Sequence, residues 1–149
     1  MGSKRRNWLR HGVPTFVDQT EELFFITVCC QERGASILTE PKTGELILES
    51  VQNRIERQLW SPFVFMIMPD HIHTIVRFRP RSRGMVSEMK TWKSWMAKTA
   101  SIRWQDGFFD HRIRSRESLS EKIEYILQNP VRAGLVECAE DWRWKLVEE

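Results

Sequence analysis

The sequence predicts an α+β fold, an antiparallel sheet with helices on one face and an added C-terminal helix, and three observations predict it. Short runs of β-forming residues alternate with longer segments whose apolar residues recur at helical spacing. The composition, 41% hydrophobic and 29% charged, is ordinary for a globular protein. At 149 residues the chain has the size of one domain and can bury a core without disulfide or metal staples.

Residues 1–22 mix charges, Gly, Pro and scattered aromatics without periodicity and are expected to form an irregular basic arm, leaving 23–149 as the folded domain. LFFITVCC, Leu23 to Cys30, reads as a buried strand, since eight residues are too few for a typical buried helix. Leu48, Val51, Ile55 and Leu59 then recur at helical spacing, which predicts an amphipathic helix from about Gly44 to Trp60, ended by Pro62. PFVFMIM and HIHTIVRF flank a turn at Pro69 and Asp70 and form a hairpin. Val86, Met89, Trp92, Met96 and Ala100 mark a second helix, and a short strand is expected within Gly107 to Ile113.

The last helix is expected to begin at Ser118, because Ser118 and Glu121 have the spacing of a capping box. It should stop near Pro130, with Gly134 closing the following turn. The order strand, helix, strand, strand, helix, strand, helix is that of a ferredoxin-like (RRM-like) sandwich, with the added helix carrying Tyr125.

The net charge is +3, but cations cluster at Lys4 to Arg6, Arg77 to Arg83 and Arg112 to Arg116. Such clusters suit a phosphate-bearing partner as well as they suit solvated loops. Three cysteines, two of them adjacent, do not make a disulfide framework, which favours a reducing cytoplasm. The opening MGSKRRNWLR is not followed by the apolar run of a secretory signal, and its sixth residue is Arg where a myristoylation signal has Ser or Thr. No membrane association is expected.

His71 and His73 lie two apart in a predicted strand, so both imidazoles point to one face and can converge on a metal ion, while Ile72, Thr74, Val76 and Phe78 face the core. Such a pair also occurs as plain surface histidines, and it needs a partner to mean more. Tyr125 is the only tyrosine among eight Phe and seven Trp. At about 100° per residue it lies opposite the apolar stripe Leu119, Ile123, Ile126 and Leu127, which speaks against a core role. Glu121, Gln128 and Asn129 fall on its side of the helix.

With these residues in place, the chain resembles the HUH single-tyrosine transposases, especially the REP-associated tyrosine transposases. The resemblance is carried by MPDHIHTIV (Met68 to Val76) and YILQNPVRAGLV (Tyr125 to Val136), with Phe109-Asp110-His111-Arg112 and the closing Asp141-Trp142, and covers most of the chain from Leu23 onward. The family often has Asn where this chain has Asp70. The resemblance implies DNA cleavage and strand transfer on hairpin-forming (REP-like) single-stranded DNA. Tyr125 would be the nucleophile, and a divalent Mg²⁺ or Mn²⁺ would be held by His71, His73 and Asn129, with Gln128 as the substitute third ligand. The nucleophile would form a 5′-phosphotyrosine and release a 3′ hydroxyl.

Phosphate contacts are expected from Arg77, Arg79, Arg81, Arg83, Lys90, Lys93, Arg112, Arg114 and Arg116, with Trp92 or Trp95 stacking on unpaired bases. His111 would touch DNA or brace the site. Two other readings compete. One is a single-stranded nucleic-acid-binding module without chemistry; the other is a hydrolase in which His71, His73 and His111 hold a metal that activates water. Both monomer and homodimer are compatible with the sequence.

Overall fold

The computed structural model describes residues 22–148, so the arm expected at the N-terminus lies almost wholly outside the described residues. Five strands, β1 (Leu23–Cys29), β2 (Trp60–Ile67), β3 (His71–Phe78), β4 (Phe109–Arg112) and β5 (Lys145–Val147), form one sheet in the order β4-β1-β3-β2-β5. Every pairing is antiparallel. Three helices of at least three turns, α1 (Pro41–Glu56), α2 (Met85–Ala100) and α3 (Arg116–Leu127), are followed by the single turn α4 (Asn129–Arg132). The α+β, ferredoxin-like order expected from the sequence is therefore present, with β5 added at the β2 edge.

Strand alternation divides the apolar residues between two cores. On one face, Ile26, Val28, Phe65, Ile67, Ile72 and Val76 meet Ile47 and Val51 of α1 and Met89, Trp92 and Met96 of α2. On the other, Phe25, Val64, Met66 and Ile75 meet Leu119, Ile123 and Ile126 of α3. The helix that carries Tyr125 thus lies across the sheet from the other two. Its packing is what places the tyrosine.

Local details depart from the sequence-based boundaries for identifiable reasons. Helix α1 begins earlier, with Pro41 at its first turn, and ends at Glu56 rather than Trp60. Gln58 turns the chain with a left-handed φ of 61°, and Trp60 opens β2. The buried face of α1 is Gly44, Ile47, Ser50 and Val51 rather than Leu48, Val51, Ile55 and Leu59. Gly44 sets that rotation: a Cβ there would stand 2.4 Å from the Trp144 ring, so only glycine lets the C-terminal segment approach.

Helix α3 starts at Arg116, its cap three residues before Ser118, because Ser115 is extended and its hydroxyl accepts the Ser118 N–H at 3.1 Å. Pro130 does not simply stop the chain; it sits in the first turn of α4, where its missing N–H costs nothing. Gly134 then closes α4 with φ of 75°, its N–H donating to Val131 and that of Leu135 to Pro130.

Candidate functional site

On β3, His71 and His73 fall on the sheet face shared with α3, and their rings lie 4.8 Å apart between centroids. Each is oriented through Nδ1. His71 Nδ1 donates to Asp70 Oδ1 at 2.8 Å, and His73 Nδ1 lies 2.9 Å from the Thr27 hydroxyl, directly across on β1. Nε2 is the nitrogen each ring has left to offer an ion, and a ligand imidazole braced through its other nitrogen is the usual arrangement at metal sites.

Asp70 is itself clamped. Its second oxygen accepts from Arg33 Nε at 2.9 Å and from the Gly34 N–H at 2.7 Å. Burial alone would raise its pKa, but the hydrogen bonds from His71, Gly34 and Arg33 outweigh it and hold the carboxyl well below the usual range. Asp70 is thus a fixed anion that orients His71. His73 is pushed the other way from a free imidazole: burial first, then the nearby His71, Arg132 and Arg33, lower it to about 4. It is neutral at pH 7, the state a metal ligand requires.

Tyr125 stands on α3 with half its surface exposed, while Leu119, Ile123, Ile126 and Leu127 are buried beneath it. Its ring lies 6.4 Å from that of His73. The three residues that the sequence singled out separately are therefore brought together within one chain.

Arg132 was not anticipated. Its guanidinium sits 4.0 Å over the Tyr125 ring, donates to the Tyr125 carbonyl at 2.7 Å and to Asn129 Oδ1 at 3.3 Å. Its position seven residues after Tyr125, two helical turns on, is the signal that would have found it. Gln128 and Asn129 are half-buried at the junction of α3 and α4, and the Asn129 amide is oriented by Arg132.

His111 does not join the pair. It stacks on Phe25 at 5.2 Å, and Phe25 in turn meets His73 edge-on at 5.6 Å. Among the described residues no three His, Cys, Asp or Glu side chains converge as a metal site. That counts against the three-histidine hydrolase. A pair of imidazoles completed by an amide oxygen would suit a hard or borderline divalent ion whose remaining positions are filled by water and substrate oxygen.

The expected phosphate contacts divide. Arg81, Arg83, Lys90, Arg112, Arg114 and Arg116 are exposed. Arg112 pairs with Glu22 at 3.2 Å. Arg77 is partly buried over Phe63 and donates to Ser61, and Arg79 is partly buried with its Nε out of solvent. Lys93 is the clearest departure: its ammonium donates to the carbonyls of Gln105 and Gly107, tying α2 to the segment before β4. Trp92 is fully buried and donates to Ser50, so it has no face for a base. Trp95 is exposed, but it lines a groove of about 410 Å³ between α1 and α2, across the sheet from the histidines.

No protein-family profile matches the chain. It is 26% identical over 147 residues to a REP-associated tyrosine transposase of Escherichia coli, spanning 95% of this chain and 80% of the relative. A protein of Haemophilus influenzae named for the same family is also 26% identical, over 158 residues, spanning 95% of this chain and 83% of that one. The fold matches that of a REP-associated tyrosine transposase solved bound to a REP hairpin, with a TM-score of 0.73 and 22% identity, over 83% of this chain and 75% of the other. In sequence along 95% of its length, and in fold, the chain is similar to REP-associated tyrosine transposases.

Proposed function

We propose that the chain is a metal-dependent tyrosine transposase, cutting and rejoining single-stranded DNA beside a hairpin. The observation that carries this reading is the exposed Tyr125 ring 6.4 Å from His73, with His71 beside it. The relatives' names and the hairpin bound by the solved neighbour support a transposase-type action on hairpin DNA.

His71 and His73 would hold Mg²⁺ or Mn²⁺ through Nε2, with the amide oxygen of Asn129, or of Gln128, completing the protein ligands. Such an ion offsets the negative charge that builds on a scissile phosphate. Tyr125 would lose its phenolic proton and attack the phosphorus, forming the Tyr125 Oη to phosphorus bond as the bond to the 3′ oxygen breaks. The 3′ oxygen takes up a proton and leaves as a hydroxyl, while the 5′ phosphate stays on Tyr125. The ester conserves the bond, so a later 3′ hydroxyl can reverse the step on a new strand without ATP. Arg132, already over the Tyr125 ring, brings a fixed positive charge to where the phenolate forms.

Incubation with hairpin-bearing single-stranded DNA and Mn²⁺ is expected to give a denaturation-resistant protein–DNA adduct. Adduct is expected to vanish with chelator and in Tyr125→Phe, which leaves no other tyrosine to substitute. Hairpin binding without any adduct in the wild type would instead mark a module that binds without cutting.

A further inference from the structure

Phe109 is 68% exposed, the most exposed large apolar side chain among the described residues. It belongs to β4, an edge strand of four residues, and strand alternation puts it on the same face as His111. The register places it in a row that crosses the site: Phe109 stands opposite Thr27 on β1, and Thr27 stands opposite His73 on β3. Two strand spacings, roughly 10 Å, therefore separate Phe109 from the imidazole proposed to hold the ion. That is about the reach of one nucleotide, from its phosphate to the far edge of its own base.

Helix α3 covers only part of this face. At the Leu23 end of the β4–β1 pair Ile113 and Leu23 are buried under α3, whereas at the other end Phe109 and His111 are left open. His111 is held in place by stacking on Phe25. An exposed phenyl ring on a sheet edge is a liability for a chain that must avoid edge-to-edge pairing, which gives it a reason to be there only if something covers it. The exposed cations Arg114 and Arg116 stand beyond the other end of the same strand, so a polyanion with apolar flat groups fits as the cover.

We infer that the open end of this face, with Phe109 as its floor and the braced His111 beside it, seats one unpaired nucleobase next to the phosphate at His71 and His73. This rests on the reading under Proposed function and adds to it how the enzyme tells single strands from duplex. A paired base has its faces hidden between its neighbours, whereas an unpaired base offers a face to the ring, whatever its identity.

The test uses the Tyr125→Phe chain in chelator, where nothing is cut, and hairpin oligonucleotides carrying 2-aminopurine at successive positions of the single-stranded flank. Stacking on Phe109 is expected to quench the probe at one flanking position. Adding Phe109→Ala should abolish that quench and weaken binding about tenfold, the loss of one base–aromatic stack. Phe109→Leu, which keeps apolar bulk without a ring, should behave like the alanine variant, and Phe109→Trp should restore both signals. Unchanged thermal melting of each variant guards against misfolding. Equal binding and quench in the alanine variant, or rescue by leucine as full as by tryptophan, overturns the inference. If the wild type forms its tyrosine adduct while Phe109 proves indifferent, only the base seat falls; if the wild type binds no single strand at all, the transposase reading falls with it.

Discussion

The two faces of the sheet are built from the same strands yet serve different ends. The face under α1 and α2 is dry: Trp60, Phe65, Ile67, Ile72 and Trp92 are all but fully buried, and its few polar atoms are paired, as where Trp92 donates to Ser50 and Ser50 donates to Ile47. The face under α3 is dry from Leu23 and Ile113 across to Val64 and Met66, but beside that core it presents His71, His73, Thr27 and Tyr125. In β3 the two roles alternate residue by residue, with Ile72, Thr74 and Val76 turned to one side and His71 and His73 to the other. A period of two lets one strand be anchored by one side chain and do chemistry with the next, without either role compromising the other.

That division predicts that function and stability can be broken separately. Tyr125→Phe should remove adduct formation completely while shifting the unfolding free energy by less than about 0.5 kcal/mol, since it is a surface change of one oxygen. Denaturing gels and urea melts check the two halves. Trp92→Ala should do the reverse in kind. It should cost about 3–5 kcal/mol of stability, as large-to-small changes in a packed core do, while any protein still folded at low temperature retains its adduct. A Trp92 variant as stable as the parent would show that the dry face is not the anchor.

The faces should also answer differently to acid. In metal-free protein, His73 has a folded pKa pushed down to about 4 from its ordinary 6.5. The unfolded chain therefore takes up a proton below pH 6.5 that the folded chain refuses until about pH 4. Stability should fall with acid across that window, by roughly 3 kcal/mol in all. Asp70 works in a lower range, since its folded pKa is depressed below the ordinary carboxylate value and its contribution is lost only as pH drops further. His73→Gln should flatten the slope between pH 6.5 and 4, as read by urea melts in chelator; a slope unchanged by this substitution would place its origin elsewhere.

How far the site was legible in the sequence follows from the range of the interactions. The histidine pair and the position of Tyr125 were visible because strand and helix periods are local, and the order of elements fixed a ferredoxin-like sheet. The start of α3 was misplaced because Ser115 and Ser118 both have a cap's spacing, and only backbone conformation tells that Ser115 is the extended one. Lys93 was read as a phosphate contact because its charge is visible in sequence and its carbonyl partners, 12 and 14 residues on, are not. Trp92 lies in the very stripe that predicts burial, and its spacing with Met89 and Met96 spoke more truly than its aromatic character. Strand β5, three residues long, is too short to show any period. The clamp on Asp70 depends on contacts with Arg33 and Gly34 that no spacing rule joins.

That clamp offers the finest test of how the open end is held. Asp70 Oδ1 serves His71, while Oδ2 serves Arg33, 37 residues away, and the Gly34 N–H. Asp70→Asn can keep an oxygen toward His71, but its amide nitrogen would then face two donors and must lose both bonds. His71 keeps its orientation and the loop at Arg33 is released. The expected effect is a modest one, about tenfold weaker Mn²⁺ binding by calorimetry, toward the low end for a group that braces a metal ligand. Asp70→Ala removes the partner of His71 as well and should weaken binding further. Equal affinities for the asparagine and alanine variants would mean that the carboxylate acts on the loop rather than on the imidazole, and that His71 is oriented by its strand alone.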